Sequence, residues 1–201
     1  IGEKEYGGRD RPEYSGPPQP KATTRCRIVS EHGWADLVGP TVCRTLTPDE
    51  VAVVRGKLGP DPLNADADPG QFYRAAAKSS RPIGVILMDQ AAISGVGNIF
   101  RAESLYRQKI DPLRPGKTLS DDELRRLWDD NKHLLTIGVR VGRIITTEQQ
   151  DRPGIPETEA WPDHANYVYM RHGQKCPRCS ATIRMEEIAG RKLYWCPGCQ
   201  K

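Results

Sequence analysis

The sequence lacks any run of about 18 apolar residues, so it predicts no membrane-spanning helix. It also lacks a basic-then-apolar leader of the secretory type, and a cytoplasmic location is expected. Neither sign of charge dominates: 30 Lys and Arg residues stand against 26 Asp and Glu residues, a formal net charge of +4. This mildly basic balance is compatible with binding to nucleic acid but does not require it.

The sequence does not begin with Met. Ile1 opens a polar stretch rich in glycine and proline, which cannot bury enough apolar surface to offset the cost of ordering. We therefore expect loop over residues 1–24, and we expect the chain to be cut from something longer.

Cysteine is scarce, with six residues, but four of them form a pattern. Cys176-Pro-Arg-Cys179 and Cys196-Pro-Gly-Cys199 are separated by 16 residues, which matches four-thiolate structural zinc sites. The stretch between them alternates apolar and polar residues around Ala189-Gly190, as a β-hairpin does. Two disulfides or a redox pair are the alternatives, and the missing export signal disfavours disulfides. The remaining two, Cys26 and Cys43, are predicted to be small core residues.

Two segments before residue 60 carry local folding signals. Strand-like runs flank Glu31-His32-Gly33 and predict a hairpin. Thr47, Pro48 and Glu50 form the capped start of a short helix. Its apolar face is predicted to comprise Val51, Val54 and Leu58.

Further along the chain the pattern becomes helical. Asp68-Pro69 opens one helix, and a capping box of Ser120 and Glu123 begins a longer one that is predicted to reach about Thr147. The longer helix has an apolar stripe formed by Leu124, Leu127, Trp128 and Leu135. Residues 148–164 have the composition of a mobile linker.

Glycine is concentrated just ahead of another predicted helix, over residues 98–109. Gly95, Gly97 and Asn98 precede the apolar positions Ile99, Ala102 and Tyr106. A helix N-terminus offers unpaired N–H groups and partial positive charge, which suits a phosphate. The alternative is an ordinary glycine-rich turn.

Basic residues cluster around the cysteine hairpin. Arg191 follows the predicted hairpin tip, and its guanidinium can bind DNA phosphates when the hairpin lies in a groove of the DNA. The alternative is a solvated charged face. The cluster comprises Arg171, Lys175, Arg178, Arg184, Arg191, Lys192 and Lys201.

Two blocks in this order resemble the formamidopyrimidine-DNA glycosylase and endonuclease VIII family of base-excision repair enzymes. "ISGVGNIFRAESLYRQKIDP" resembles its helix–two-turns–helix motif, and "YVYMRHGQKCPRCSATIRMEEIAGRKLYWCPGCQK" resembles its zinc finger. The likeness covers roughly residues 25–201. The ending "LYWCPGCQK" is more similar to the endonuclease VIII branch, which prefers oxidised pyrimidines.

The resemblance implies roles for particular residues. Asn98, with backbone amides of the turn at Gly97, binds the DNA phosphate beside the lesion. Arg191 reaches into the minor groove and contacts phosphates around the flipped nucleotide. Glu103 is similar to an acidic residue that braces the glycine turn, with an exposed carboxylate as the alternative. The segment 148–164 falls where some members carry a loop that covers the extruded base, and no recognition residue is assigned in it.

The resemblance also implies an α+β fold in four parts. These are a remnant of an N-terminal catalytic β-sandwich (1–60), a helix–two-turns–helix domain (61–147), a linker (148–166) and a zinc finger with one structural Zn²⁺ (167–201). The sandwich remnant is expected to expose apolar surface. In the family an N-terminal proline and glutamate and a supporting lysine carry the chemistry, and none of them can be placed here. No catalytic residue is therefore assigned.

The resulting hypothesis is a DNA glycosylase with abasic-site lyase activity that acts on oxidised bases through a Schiff base. This chain is expected to be monomeric and to bind damaged double-stranded DNA without turnover. The intact protein is expected on the bacterial nucleoid. The alternatives are a non-catalytic zinc-containing module that binds damaged DNA and a zinc ribbon that binds proteins.

Overall fold

A computed structural model describes residues 16–201. They form two compact units, one ending at Ala52 and the other spanning Val53–Lys201. The fifteen residues before Gly16 lie outside the description, and with them most of the predicted loop over 1–24. The helices and strands are β1 (Thr24–Ser30), β2 (Gly33–Val38), α1 (Pro48–Arg55), α2 (Pro69–Ala77), α3 (Ile83–Ile86), α4 (Asn98–Arg107), α5 (Asp121–Val141), β3 (Arg184–Ile188) and β4 (Arg191–Trp195).

The first unit contains the predicted hairpin. β1 and β2 pair antiparallel, with Ser30 opposite Gly33 across a two-residue turn. Arg27 and Asp36 form a bidentate ion pair across the strands, at 2.6 and 2.8 Å. As expected for this region, apolar side chains are exposed, including Ile28 (69%), Val29, Trp34, Leu37 and Val38.

Two sequence predictions for this region are wrong. Cys26 and Cys43 are exposed rather than core residues, because the apolar runs that carry them bury neither side chain. α1 begins with the predicted capping box, in which Thr47 Oγ1 accepts from the Glu50 amide and Glu50 Oε2 accepts from the Thr47 amide. Its proposed apolar face is not buried, since Val54 and Leu58 are each 47% exposed.

The second unit has an apolar helical core. α2 begins at the predicted cap, where Asp68 accepts from the Gly70 amide. The predicted stripe of α5 is buried along its length, and the Ser120–Glu123 capping box is present. α5 ends at Val141, not at Thr147, because Gly142 adopts a left-handed conformation (φ +70°) that stops the helix. The core is built from Phe72, Ile83, Ile86, Leu87, Ile93, Leu105, Leu124 and Leu127, with further apolar residues around them.

α4 lies between two apolar clusters. Phe100 and Leu105 face the helical core. Ala102 and Tyr106 pack in a second cluster with buried residues of the C-terminal finger, including Ile183 and Tyr194. α4 therefore joins the helical core to the finger, and every residue from Phe100 to Tyr106 is buried.

The finger is the predicted hairpin. β3 and β4 pair antiparallel around a turn formed by Ala189 and Gly190, both with positive φ (+52° and +71°). Two successive residues with positive φ give a turn whose twist matches that of the strands. The mixed helix and strand content confirms the predicted α+β class. The four-part division at 60, 147 and 166 stays a prediction.

The segment before the finger contains the short 3₁₀ turns Gln149–Asp151 and Glu157–Glu159. Ala160 and Ala165 are buried with Ile145, and the Thr146 amide donates to the Ala165 carbonyl at 2.8 Å. Within residues 16–201 no helix combines the length and hydropathy that a membrane crossing needs.

Candidate nucleic-acid interface and metal centre

The glycine turn before α4 is held by one side chain. Gln90 Oε1 accepts from the Gly95 amide at 3.0 Å, and Gln90 Nε2 donates to the Val96 carbonyl at 3.0 Å. Gly95 has φ +83°, a conformation that side chains disfavour. Gly97 is the extended residue before the helix, with open space where a side chain would lie. α4 therefore begins at a fixed turn with space beside Gly97.

Asn98 connects this turn to the finger. Its amide nitrogen donates to the carbonyl oxygen of Lys192 in β4 at 2.9 Å. Its oxygen accepts from Arg101, one helical turn further on. The helix N-terminus and the hairpin tip, 94 positions apart in the sequence, are therefore in direct contact.

Arg101 is a site residue that the sequence interpretation missed. Its side chain is fully buried and donates to the carbonyls of Lys192 (3.2 Å) and Gly84 (3.3 Å), and its Nε has no hydrogen-bond partner. Burial, together with the nearby charge of Arg191, lowers the pKa of Arg101 to about 10. The available signal was its i+3 spacing from Asn98, which places both side chains on one helix face.

Arg191 begins β4 directly after the turn and is exposed. Among residues 16–201 neither Arg101 nor Arg191 forms an ion pair. A buried guanidinium, an exposed one and the start of a helix thus lie near one another, and within residues 16–201 neither guanidinium has a carboxylate at ion-pair distance. Such a surface is electrostatically suited to an anion.

Glu103 is neither an exposed carboxylate nor a brace for the glycine turn. It is fully buried and accepts from the backbone amides of Tyr167, Val168 and Tyr169 at 2.7–2.8 Å. The Thr146 hydroxyl donates to it at 2.6 Å. Burial raises the pKa of Glu103, and these donors oppose the rise. Glu103 therefore holds the backbone of residues 167–169 in place at the start of the finger.

Four thiols meet at the base of the finger. The Sγ atoms of Cys176, Cys179, Cys196 and Cys199 lie within 4.8 Å of one another. Two of the separations are 3.8 Å (Cys176–Cys199) and 3.3 Å (Cys179–Cys196), against roughly 3.8 Å for sulfurs around a tetrahedral zinc ion at about 2.3 Å. The donor set and its geometry fit one structural zinc ion with no open coordination position.

The surroundings of the thiols also fit a metal centre. A side chain at Gly198 would place its Cβ 2.7 Å from Cys179 Sγ, so glycine is required there. Tyr106 Oη lies 3.2 Å from Cys176 Sγ. Burial opposes ionisation of Cys176, but hydrogen bonds from Tyr106 and from two backbone amides lower the pKa of its thiol to about 7, whereas burial and the neighbouring thiols raise the pKa of Cys196 to about 11 and also raise that of Cys199. A thiolate is the form that binds metal.

Comparison with family models identifies both blocks. The model described as the formamidopyrimidine-DNA glycosylase H2TH domain matches residues 58–150. The model described as a zinc finger found in FPG and IleRS matches residues 173–201.

Curated relatives extend the match to most of the chain. Endonuclease 8 1 of Mycobacterium tuberculosis is 43% identical over 184 residues, which cover 91% of this chain and 68% of the relative. Formamidopyrimidine-DNA glycosylase of Thermus thermophilus is 38% identical over 150 residues, covering 72% of this chain and 54% of the relative. The chain belongs to the formamidopyrimidine-DNA glycosylase and endonuclease VIII family. The higher identity to endonuclease 8 1 supports the endonuclease VIII branch.

Solved structures agree with this assignment. The crystal structure of MutM (Fpg) from Thermus thermophilus matches with a TM-score of 0.67 and 31% identity, over 90% of this chain and 70% of that one. Lactococcus lactis Fpg, in a complex with DNA containing an abasic site, matches with a TM-score of 0.62 and 28% identity. That match covers 78% of this chain and 57% of the Lactococcus chain.

Proposed function

We propose that this chain is the DNA-binding part of a base-excision repair DNA glycosylase with abasic-site lyase activity. The supporting observation is that Asn98, Arg101 and Arg191 come together at the start of α4, and that neither arginine forms an ion pair within residues 16–201. Duplex DNA presents phosphates at regular spacing along each strand, and such a cationic surface attracts them. Lactococcus lactis Fpg has been solved with abasic-site, Fapy-dG and oxidised-pyrimidine DNA.

The proposed division of labour takes the roles of Asn98 and Arg191 from the family resemblance, and their proximity in the structure supports it. The amides at Gly97 and Asn98 and the Asn98 side chain bind the phosphate beside the lesion. Arg191 binds phosphates from the hairpin tip, while buried Arg101 holds Asn98 and adds positive potential. The four cysteines hold one zinc ion, which fixes the hairpin. Together these contacts stabilise a kinked duplex while the damaged base is extruded, at a cost of a few kcal/mol in unstacking.

The proposed substrate is duplex DNA with oxidised bases, with pyrimidines favoured, and a cytoplasmic, nucleoid-associated monomer is the expected form. Residues 1–201 include no assigned nucleophile. The chemistry is therefore proposed for a protein in which an N-terminal proline attacks C1′ of the sugar, while the described residues hold the DNA.

The test combines binding with covalent trapping. Asn98→Ala is expected to weaken binding to a duplex with an abasic-site analogue by about 1–3 kcal/mol, because one phosphate contact is lost. Fluorescence anisotropy with a labelled duplex measures the effect. Unchanged affinity would remove the phosphate role of Asn98.

Borohydride reduction with an abasic duplex then tests for a Schiff base. Binding without a covalent band is the expected result for this chain. A stoichiometric band would show that an amine within these 201 residues does the chemistry and would overturn the proposed division of labour. Absence of binding by the wild-type chain would instead favour a zinc ribbon that binds proteins.

A further inference from the structure

Arg178 is one of two residues between the first pair of metal-binding cysteines, and its side chain contacts aromatic rings and carboxylates. Its guanidinium carbon lies 4.6 Å from the centre of the Tyr167 ring and 5.5 Å from that of Tyr106. The two rings stack on each other at 4.9 Å. Tyr106 in turn approaches Cys176 Sγ at 3.2 Å. Through Tyr106, the contacts of Arg178 therefore extend to the metal-binding thiols.

The other end of these contacts is the segment 146–151, whose last residue, Asp151, precedes Cys176 by 25 positions. Arg178 Nη2 donates to Asp151 Oδ2 at 2.7 Å and to Glu148 Oε2 at 3.2 Å. It also donates to Tyr167 Oη at 3.1 Å, and that oxygen accepts from the Glu148 amide at 2.8 Å. A single guanidinium thus joins the metal-binding turn to both acidic residues of the segment.

A second arginine also holds the same segment. Arg107 of α4 donates to the Thr146 carbonyl at 2.8 Å and pairs with Glu148 at 3.3 Å. It is anchored by Asp130 of α5 at 2.9 Å. Between the segment and α5 lies a cavity of about 350 Å³. The position of the segment therefore sets the shape of this cavity.

These contacts separate Arg178 from the other basic residues of the finger. Two carboxylates pair with its charge and two aromatic rings lie within 5.5 Å of it, whereas Arg191 forms no ion pair among the residues described, 16–201. A guanidinium engaged in this way has little potential left for a phosphate. Arg178 is accordingly directed inward, toward the segment.

We propose that Arg178 is a positioning residue through which the metal centre places the segment 146–151 beside α5. Its functional meaning rests on the proposed function and on the family resemblance, since the segment overlaps residues 148–164, where some members carry a loop that covers the extruded base. Loss of Arg178 then loosens the segment while the thiols still bind metal and the finger stays folded.

Hydrogen exchange measured by mass spectrometry on the zinc-loaded chain tests this proposal. Arg178→Ala is expected to speed amide exchange in peptides covering 146–157 by about tenfold, because local opening no longer breaks the ion pairs. Arg178→Lys restores part of the protection, since it keeps the charge but not the guanidinium that lies over the Tyr167 ring. Arg184→Ala, an exposed arginine in β3, is the matched exchange control and leaves 146–157 unchanged.

Zinc content, measured by release into a colorimetric chelator, stays at one ion per chain in each variant. Unchanged exchange at 146–157 in Arg178→Ala would overturn the proposal. Equal acceleration in peptides covering 176–199 would also overturn it, by showing a general loss of the finger. Asp151→Asn is the second variant and is expected to loosen 146–157 alone.

Duplex binding distinguishes this inference from the proposed function. Arg178→Ala is expected to keep its affinity for the abasic-analogue duplex within about twofold, whereas Asn98→Ala loses affinity. If Arg178→Ala loses affinity as Asn98→Ala does and exchange at 146–157 is unchanged, Arg178 is a DNA contact and the inference is wrong. If the wild-type chain binds no duplex, the proposed function fails while the exchange data still decide the role of Arg178.

Discussion

The two hairpins of this chain have nearly the same local structure and very different surroundings. Each is a two-stranded antiparallel ribbon closed by a two-residue turn. In β1–β2 large apolar side chains on the strands are exposed, with Ile28 at 69%. In β3–β4, Leu193, Tyr194 and Trp195 are buried, and four thiols meet at the base. An isolated two-stranded hairpin is marginal in water, so its environment and not its strand pattern makes it stable.

Removal of zinc is expected to give the largest difference between the hairpins. A chelator should unfold residues 167–201, because metal binding by the four thiols is coupled to the folding of the finger. The helical core contains no finger residue, so its far-ultraviolet circular dichroism should persist. Hydrogen exchange should then rise in β3–β4 and stay unchanged in β1–β2. Loss of all helical signal would contradict this separation.

Glu103→Gln tests how the finger is attached to α4. Replacing one carboxylate oxygen by NH₂ sets a donor against the backbone amides of residues 167–169. We expect a loss of about 4 kcal/mol in the free energy of unfolding, because buried polar groups are left unpaired. Urea unfolding at saturating zinc measures it. Glu186→Gln, an exposed site in β3, is the control, and equal effects of the two changes would refute the assigned role.

Truncation of one apolar residue in each hairpin tests their packing directly. Leu193→Ala should cost about 3 kcal/mol, since Leu193 is only 1% exposed and leaves a cavity. Ile28→Ala should cost less than about 0.5 kcal/mol, because its side chain gains little from folding. Comparable losses in urea unfolding would mean that β1–β2 is packed in solution.

A matched pair of arginines tests which hairpin contacts DNA. Arg191→Ala should weaken binding to the abasic-analogue duplex by about 1–2 kcal/mol and reduce the salt slope by about 1, through loss of a phosphate contact. Arg25→Ala in β1, an exposed arginine of the other hairpin, should change neither quantity. Anisotropy titrations at several salt concentrations provide both values, and equal losses from the two changes would indicate non-specific attraction.

The turns give the smallest expected effect. Ala189 has φ +52°, which is unfavourable for a residue with a Cβ, and Asn tolerates this region better. Ala189→Asn should therefore stabilise the finger by about 0.5–1 kcal/mol, seen as slower exchange in β3–β4. Neither Glu31 nor His32 in the other turn has positive φ, so His32→Asn should bring no gain. A gain at both turns would point to a general effect of Asn.

Local features of the fold could be predicted where neighbouring residues decide them. Thr47–Glu50 and Ser120–Glu123 form their capping boxes as their spacing indicates. The sequence predicts an end of α5 that is six residues too late, because the apolar pattern continues past Gly142 although the helical backbone stops there. The core positions of Cys26 and Cys43 were wrong for a related reason: an apolar run predicts a strand but not what covers it.

The residues of the candidate site divide in the same way, into features that nearby residues decide and contacts that only tertiary packing brings about. The sequence by itself determined the two hairpins, the start of α4 at Asn98 and the four-thiol set, because turn chemistry, caps and ligand spacing act over a few residues. Only the tertiary structure decided that Asn98 meets Lys192, that Glu103 binds residues 167–169 and that Arg178 reaches Asp151. These contacts join residues 27 to 94 positions apart. Their existence depends on how α4 and the finger pack, which periodicity along the chain does not encode.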